Sequence, residues 1–136
     1  MIHRPLNIGR WLVDFLFAVD GYDIEEALGY LYDIDTSYHI MRKAYRLMKR
    51  GKRNTGFTVT NDALRHAVIV IGPTTSGHEF QNTLIHEIHH LAVAVAESLG
   101  VDLEGETPAY VSGDTAMELV DVICEFGCDK CNHGHL

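Results

Sequence analysis

SGHEFQNTLIHEIHHLAVAVAESLG, residues 76–100, is the stretch on which both the fold and the chemistry of this chain turn. Ser76 followed by Glu79 is a capping-box signature that opens a helix. Leu84, Ile88, Leu91 and Val95 recur at helical spacing and give that helix one apolar face. Ala92, Val93, Ala94 and Ala96 make most of its second half apolar, which predicts a central helix ending at about Leu99, with Gly100 as its stop. His86 and His90 stand on the opposite side. Positions i and i+4 lie about 40° apart on the helix wheel, one turn above each other. Two imidazoles so placed can offer nitrogens to one ion. Glu87 lies beside them, where it can take a proton from a water activated by that ion. The five residues His86-Glu87-Ile88-His89-His90 fit the pattern His-Glu-x-x-His.

The chain before this stretch reads as strands and shorter helices. Trp11, Val13, Phe15, Phe17 and Val19 alternate on one side, with Asp14 on the other, and predict a strand that Asp20-Gly21 turns. Asp23 with Glu26 predicts a capped helix to about Tyr32, and Ser37 to Arg50 predicts a second, stopped by Gly51. Gly56–Thr60 and His66–Ile71 predict a hairpin whose second strand, almost continuously apolar, is buried on both faces. After Gly100, Thr107-Pro108 has the order of an N-cap and first helical residue, and predicts a last helix to about Phe126. About three strands and four helices make this an α+β domain, one unit over residues 1–136 with a Cys/His-rich tail at 124–136.

Composition bounds the function. The 136 residues are 46% hydrophobic and 22% charged, enough for a real core. A formal net charge of −8 argues against a general nucleic-acid binder. Seven of the eleven Lys and Arg fall between Arg42 and Arg53. They read as a solvated helix end complementing the helix dipole, with an acidic partner as the other reading. The N-terminus lacks the apolar run of a signal peptide, and no stretch is apolar enough to span a membrane. Three cysteines near the C-terminus make no disulfide framework, so a reduced cytoplasmic compartment fits best.

Two histidines do not complete a catalytic zinc site, which normally has three protein ligands and an open position. Glu106 is the leading third ligand, sixteen residues after His90 where the next helix begins; Glu104 is the reserve. Here the chain resembles a known arrangement. His86-Glu87-Ile88-His89-His90 followed by Glu106-Thr107-Pro108-Ala109-Tyr110 is similar to the minimal gluzincin pattern of small zincin-like metallopeptidases. It also resembles small phage and mobile-element proteins assigned to that class. The resemblance spans residues 78–118. It implies a zincin-like fold, His86, His90 and Glu106 as zinc ligands, Glu87 as general base and a peptide or protein substrate. It further implies that the strand before the motif helix, His66–Ile71, is the edge where an extended peptide pairs.

Further groups can contribute. Tyr110, one turn beyond Glu106, is a candidate donor to a developing oxyanion, and His89 is another; the simpler and favoured readings are a packed aromatic for Tyr110 and a partly exposed or ligand-supporting histidine for His89. Cys128-Asp129-Lys130-Cys131 with His133 and His135 has the spacing of a second zinc site, while Cys124 reads as a residue of the last helix. His3, His39, His66 and His78 read as surface or core residues. Two functions follow: a zinc-dependent hydrolase, in which an intact Glu87 has a use, or an inert metal-stabilised structural or interaction protein.

Overall fold

A computed structural model describes residues 1–127. The mixed α+β composition expected from the pattern is present, with four strands and five helices among the described residues where about three and four were expected. Strands β1 (Ile2–Ile8) and β2 (Trp11–Phe17) form an antiparallel hairpin in which Ile2 faces Phe17 and Ile8 faces Trp11. Gly9 at the turn has φ +59°, a left-handed conformation that glycine adopts without strain. The sequence pattern missed β1. Arg4 and Pro5 interrupt its alternation, and proline is tolerated here because β1 is the outer strand of the sheet. The expected strand to Val19 also ends early. Ala18 at φ +55° breaks the alternation, and Val19 packs on the other face of the sheet beside Leu16.

Asp20, not Asp23, begins the next segment. Its carboxylate accepts the Tyr22 N–H at 2.9 Å while Asp23 accepts the Asp20 N–H at 3.1 Å, a reciprocal cap on a short 3-10 turn. Helix α1 (Ile24–Asp33) follows, then α2 (Tyr38–Arg50), capped by the Ser37 hydroxyl and closed by Gly51 at φ +63°. Strands β3 (Gly56–Asn61) and β4 (His66–Ile71) make the expected hairpin. Helix α3 (Gly77–Ser98) starts where Ser76 accepts the Glu79 N–H at 3.1 Å. The last predicted helix is two: α4 (Glu106–Glu118) and α5 (Val120–Gly127), divided at the fully buried Leu119. Thr107 is not the cap. The Asp102 carboxylate accepts the Glu104 N–H at 2.9 Å, the chain turns there, and Gly105 leads into the helix.

The sheet order is β1-β2-β4-β3, with β2 and β4 parallel. Strand β4 is therefore interior, as its apolar run demands, and cannot be the peptide-accepting edge that the resemblance implied. Its parallel partner takes one side and its own hairpin partner the other. Among the described residues the free edge beside the motif helix is β3. Helices α1 and α2 cover one face of the sheet, through Leu31, Ala44 and Met48 against Leu16, Val68 and Val70. Helices α3, α4 and α5 cover the other, where Leu84, Ile88, Leu91 and Val95 meet Val13, Phe15, Ile69 and Ile71. Arg4 of β1 pairs with Asp121 of α5 across this layer. Among the described residues no helix is long and apolar enough to cross a membrane.

One polar cluster is built into the sheet. Asp14, only 8% exposed, is held by His3 Nε2 at 2.6 Å and His66 Nε2 at 2.7 Å. Tyr30 of α1 covers His3, ring centroids 4.6 Å apart, and burial raises its phenol above the usual value, with Glu26, Asp14 and Asp33 adding to the shift. A buried carboxylate needs such partners, so both histidines have a structural use.

Leu91→Ala, at the fully buried centre of α3, is expected to cost about 2–5 kcal/mol, whereas Ile85→Ala, on the exposed face, stays within about 0.5 kcal/mol. Urea denaturation of the two variants checks the orientation of the helix.

Candidate active site

The buried stripe of α3 fixes what its other faces present. His86, His89 and His90 are exposed, whereas Glu87, one residue on from His86 and about 100° around the axis, is turned beneath β3 and only 4% exposed. The Thr58 hydroxyl on β3 donates to Glu87 Oε1 at 2.9 Å and lies 3.3 Å from the Glu87 carbonyl oxygen. Strand and helix approach closely here because residue 56 is glycine. A Cβ at Gly56 would sit 2.7 Å from the Val70 carbonyl oxygen, 3.1 Å from Ile71 Cδ1 and 3.2 Å from Glu87 Cγ. Glycine thus lets the edge strand close over the carboxylate.

His86 and His90 turn their Nε2 atoms toward each other at 3.2 Å, with ring centroids 4.9 Å apart and planes at 78°. Two nitrogens each about 2.0–2.1 Å from a tetrahedral zinc stand about 3.3–3.4 Å apart. The pair matches that separation, and neutral imidazole is a suitable donor, so these two residues fit the ion. They open onto a cleft with β3 as one wall (Gly56, Phe57, Thr58, Thr60) and α3 as the other, from His86 and Glu87 through His90 to Glu97. A second depression continues it past Gly56 to Thr55 and Asn54.

The remaining predicted ligands lie elsewhere. Among the described residues no three His, Cys, Asp or Glu side chains stand close enough together to hold a metal ion. Glu106 and Tyr110 are exposed on α4, Tyr110 at 66%, and neither lines the cleft. Helix α4 presents Val111 and Thr115 inward, and Glu106 is about 140° around the wheel from Val111. Glu104 is likewise exposed, in the loop before α4. His89 neighbours His90, with ring centroids 6.2 Å apart. Cys124 is half-buried in α5, and Cys128, Cys131, His133 and His135 fall outside the described residues.

Three contributors to the cleft escaped the sequence reading. Thr58 and Gly56 carry no local signal, because their partner is twenty-nine residues or more away. Glu97 had one: seven residues past His90, it returns to nearly the same helix face, about 10.5 Å further along. Comparison with protein-family models, with curated proteins and with solved structures finds no match to this chain.

Gly56→Ala is expected to destabilise the fold by about 1–3 kcal/mol, since backbone and Glu87 must both give way. Thr58→Val removes the donor to a buried carboxylate and is expected to cost about 1–3 kcal/mol. Both are read from denaturant midpoints, with Thr60→Val, exposed on the same strand, as the control that changes little.

Proposed function

We propose that this chain is a zinc-dependent hydrolase acting on peptide bonds, with His86 and His90 as two of the metal's protein ligands and Glu87 as general base. The observation that carries this reading is the His86–His90 pair, set at the nitrogen separation of a tetrahedral zinc and beside a buried carboxylate. Zinc, when bound, supplies a Lewis acid that brings the pKa of water toward about 7 and polarises a carbonyl. The chain's own residues do the rest. Glu87 accepts the proton of the attacking water and returns it to the leaving amine. Thr58 holds one carboxylate oxygen and fixes the direction of the other, so it is a positioning residue. The free edge of β3 offers backbone groups to an extended peptide laid along the cleft, which orients the scissile carbonyl toward the histidines.

In this reading Glu106 is the proposed third donor and Tyr110 the proposed oxyanion donor. The exposed position of both residues favours a second reading, a catalytically inert metal-binding interaction protein of the kind carried by phages and mobile elements. A reduced cytoplasmic setting is part of the same proposal; among the described residues Cys124 makes no disulfide.

Purified protein refolded with zinc is expected to hold about one equivalent of metal, lost in His86→Ala and in His90→Ala. Metal analysis showing none in the wild type refutes the site. Glu87→Gln is expected to keep the metal and lose hydrolysis of a mixed peptide library by at least about a hundredfold. Equal inertness of wild type and Glu87→Gln, with metal retained by both, selects the interaction protein instead.

A further inference from the structure

The helical layer opposite α3 carries two blocks of charge that the chain keeps apart. No Lys or Arg occurs between Arg10 and Arg42, and no Asp or Glu between Asp35 and Asp62. Helix α1 falls in the first block and α2 in the second, side by side on one face of the sheet. On α1, Glu25, Glu26, Gly29, Tyr32 and Asp33 share about 120° of exposed arc, opposite the buried Ile24, Ala27 and Leu31. On α2, His39, Arg42, Lys43, Arg46, Lys49 and Arg50 share about 120° of exposed arc, opposite the buried Ala44 and Met48. Between the two arcs runs an apolar furrow of Leu28, Met41 and Tyr45, bordered by Arg42 and Arg46.

The fold leaves both arcs unneutralised. Among the described residues, none of the exposed acids of α1 and none of the Lys and Arg of α2 makes an ion pair. Arg42 has the face of Tyr38, 5.7 Å from the ring centroid. Arg42, Arg46 and Arg50 follow one another at i and i+4, an arrangement that repels and weakens a helix. The C-terminal dipole rewards cations only in the last turn, which covers Lys49 and Arg50 but not Arg42, Lys43 or Arg46. Gly29 is equally unexplained within the chain. A glycine inside a helix weakens it, and a Cβ there would meet nothing within 4 Å. Tyr32 and Tyr38, 74% and 77% exposed, add large apolar area to the same surface.

We propose that the α1/α2 face is the interface of a two-fold homodimer, in which α2 of each copy lies on α1 of the other. The two arcs match in register. Glu25, Gly29 and Asp33 stand at i, i+4 and i+8 on α1, and Arg42, Arg46 and Arg50 stand at the same intervals on α2. Each row spans about 12 Å, and each is a ridge of the kind by which helices pack. Laid across each other, the end arginines meet the two carboxylates. Arg46 crosses at Gly29, where the missing side chain lets the two helices approach closely. A two-fold axis makes this contact twice. It also brings the two furrows together, so that apolar groups and tyrosines lie inside a charged rim, as in stable interfaces. Within one copy the two arcs cannot pair, because both point away from the sheet. Nucleic acid or an anionic membrane would suit α2 but be repelled by the acidic arc beside it. The His86–His90 cleft lies on the other face of the sheet and stays open in the dimer, so the inference is independent of the hydrolase reading.

The test is sedimentation velocity of the full chain in reducing buffer, which excludes disulfide-linked pairs. At low salt the wild type is expected to sediment as a dimer, with a Kd that rises at least about tenfold at about 0.5 M salt. Arg42→Glu/Arg46→Glu/Arg50→Glu and Glu25→Arg/Asp33→Arg are each expected to be monomeric. An equimolar mixture of the two is expected to restore a dimer, because each reversed arc then meets its opposite. Gly29→Gln, a better helix former with open space around it, is expected to weaken the wild-type dimer at least about tenfold. Circular dichroism checks that all three variants fold. A wild type that stays monomeric at low salt overturns the proposal. A dimer indifferent to salt, to either reversal or to Gly29→Gln overturns it too, as does a mixture of folded variants that stays monomeric, or assembly beyond the dimer. Binding of a labelled oligodeoxythymidylate, or of phosphatidylcholine–phosphatidylserine vesicles, by a wild type that does not dimerise assigns the arginines to those partners instead.

Discussion

The rotation of α3 about its own axis is the constraint on which the rest depends. Leu84, Ile88, Leu91 and Val95 pack against Val13, Phe15, Ile69 and Ile71, and four large buried side chains leave the helix one rotational setting. That setting decides everything on the other faces. His86 and His90 must then face solvent, and Glu87 must turn under β3. A slip of one residue would exchange a histidine for Glu87 at the mouth of the cleft. The apolar stripe and the polar constellation are thus one feature, since hydrophobic burial orients the groups that would do the chemistry.

The sheet serves the site from the other side. Strand β4, buried between β2 and β3, is a rigid backing, and β3 is pinned to it in a hairpin that carries Thr58 and Gly56 to Glu87. A strand with a free edge and a helix with an exposed histidine pair enclose a cleft open to solvent. The opposite face of the sheet carries different groups. Asp14 is hydrogen-bonded locally to His3 and His66, while among the described residues the cations of α2 make no ion pair. One set of charges is satisfied within the fold, and the other is displayed.

Legibility followed the range of the interactions. The α2 and α3 boundaries were readable because Ser37, Gly51, Ser76 and Gly100 act on backbone groups a few residues away. Strand β1 was not, because Pro5 and Arg4 fit only as members of an outer strand whose partner the sequence does not name. Division of the last helix was hidden as well. Leu119 is an ordinary helix former, and its burial in the shared core sets the break. At the site, the i, i+4 spacing exposed His86 and His90 at once. Distance along the chain marks Glu106, but the direction it faces depends on which stripe α4 buries.

The sequence by itself determined the helix, its caps, the histidine pair and the mixed α+β class, because each rests on spacing within a few turns of chain. Only the tertiary structure decided that β3 is the edge, that Thr58 and Gly56 meet Glu87, and that Glu106 and Tyr110 face outward. Those outcomes depend on contacts between residues far apart in sequence. Burial of the whole core selects such contacts, and no local pattern of residues specifies them.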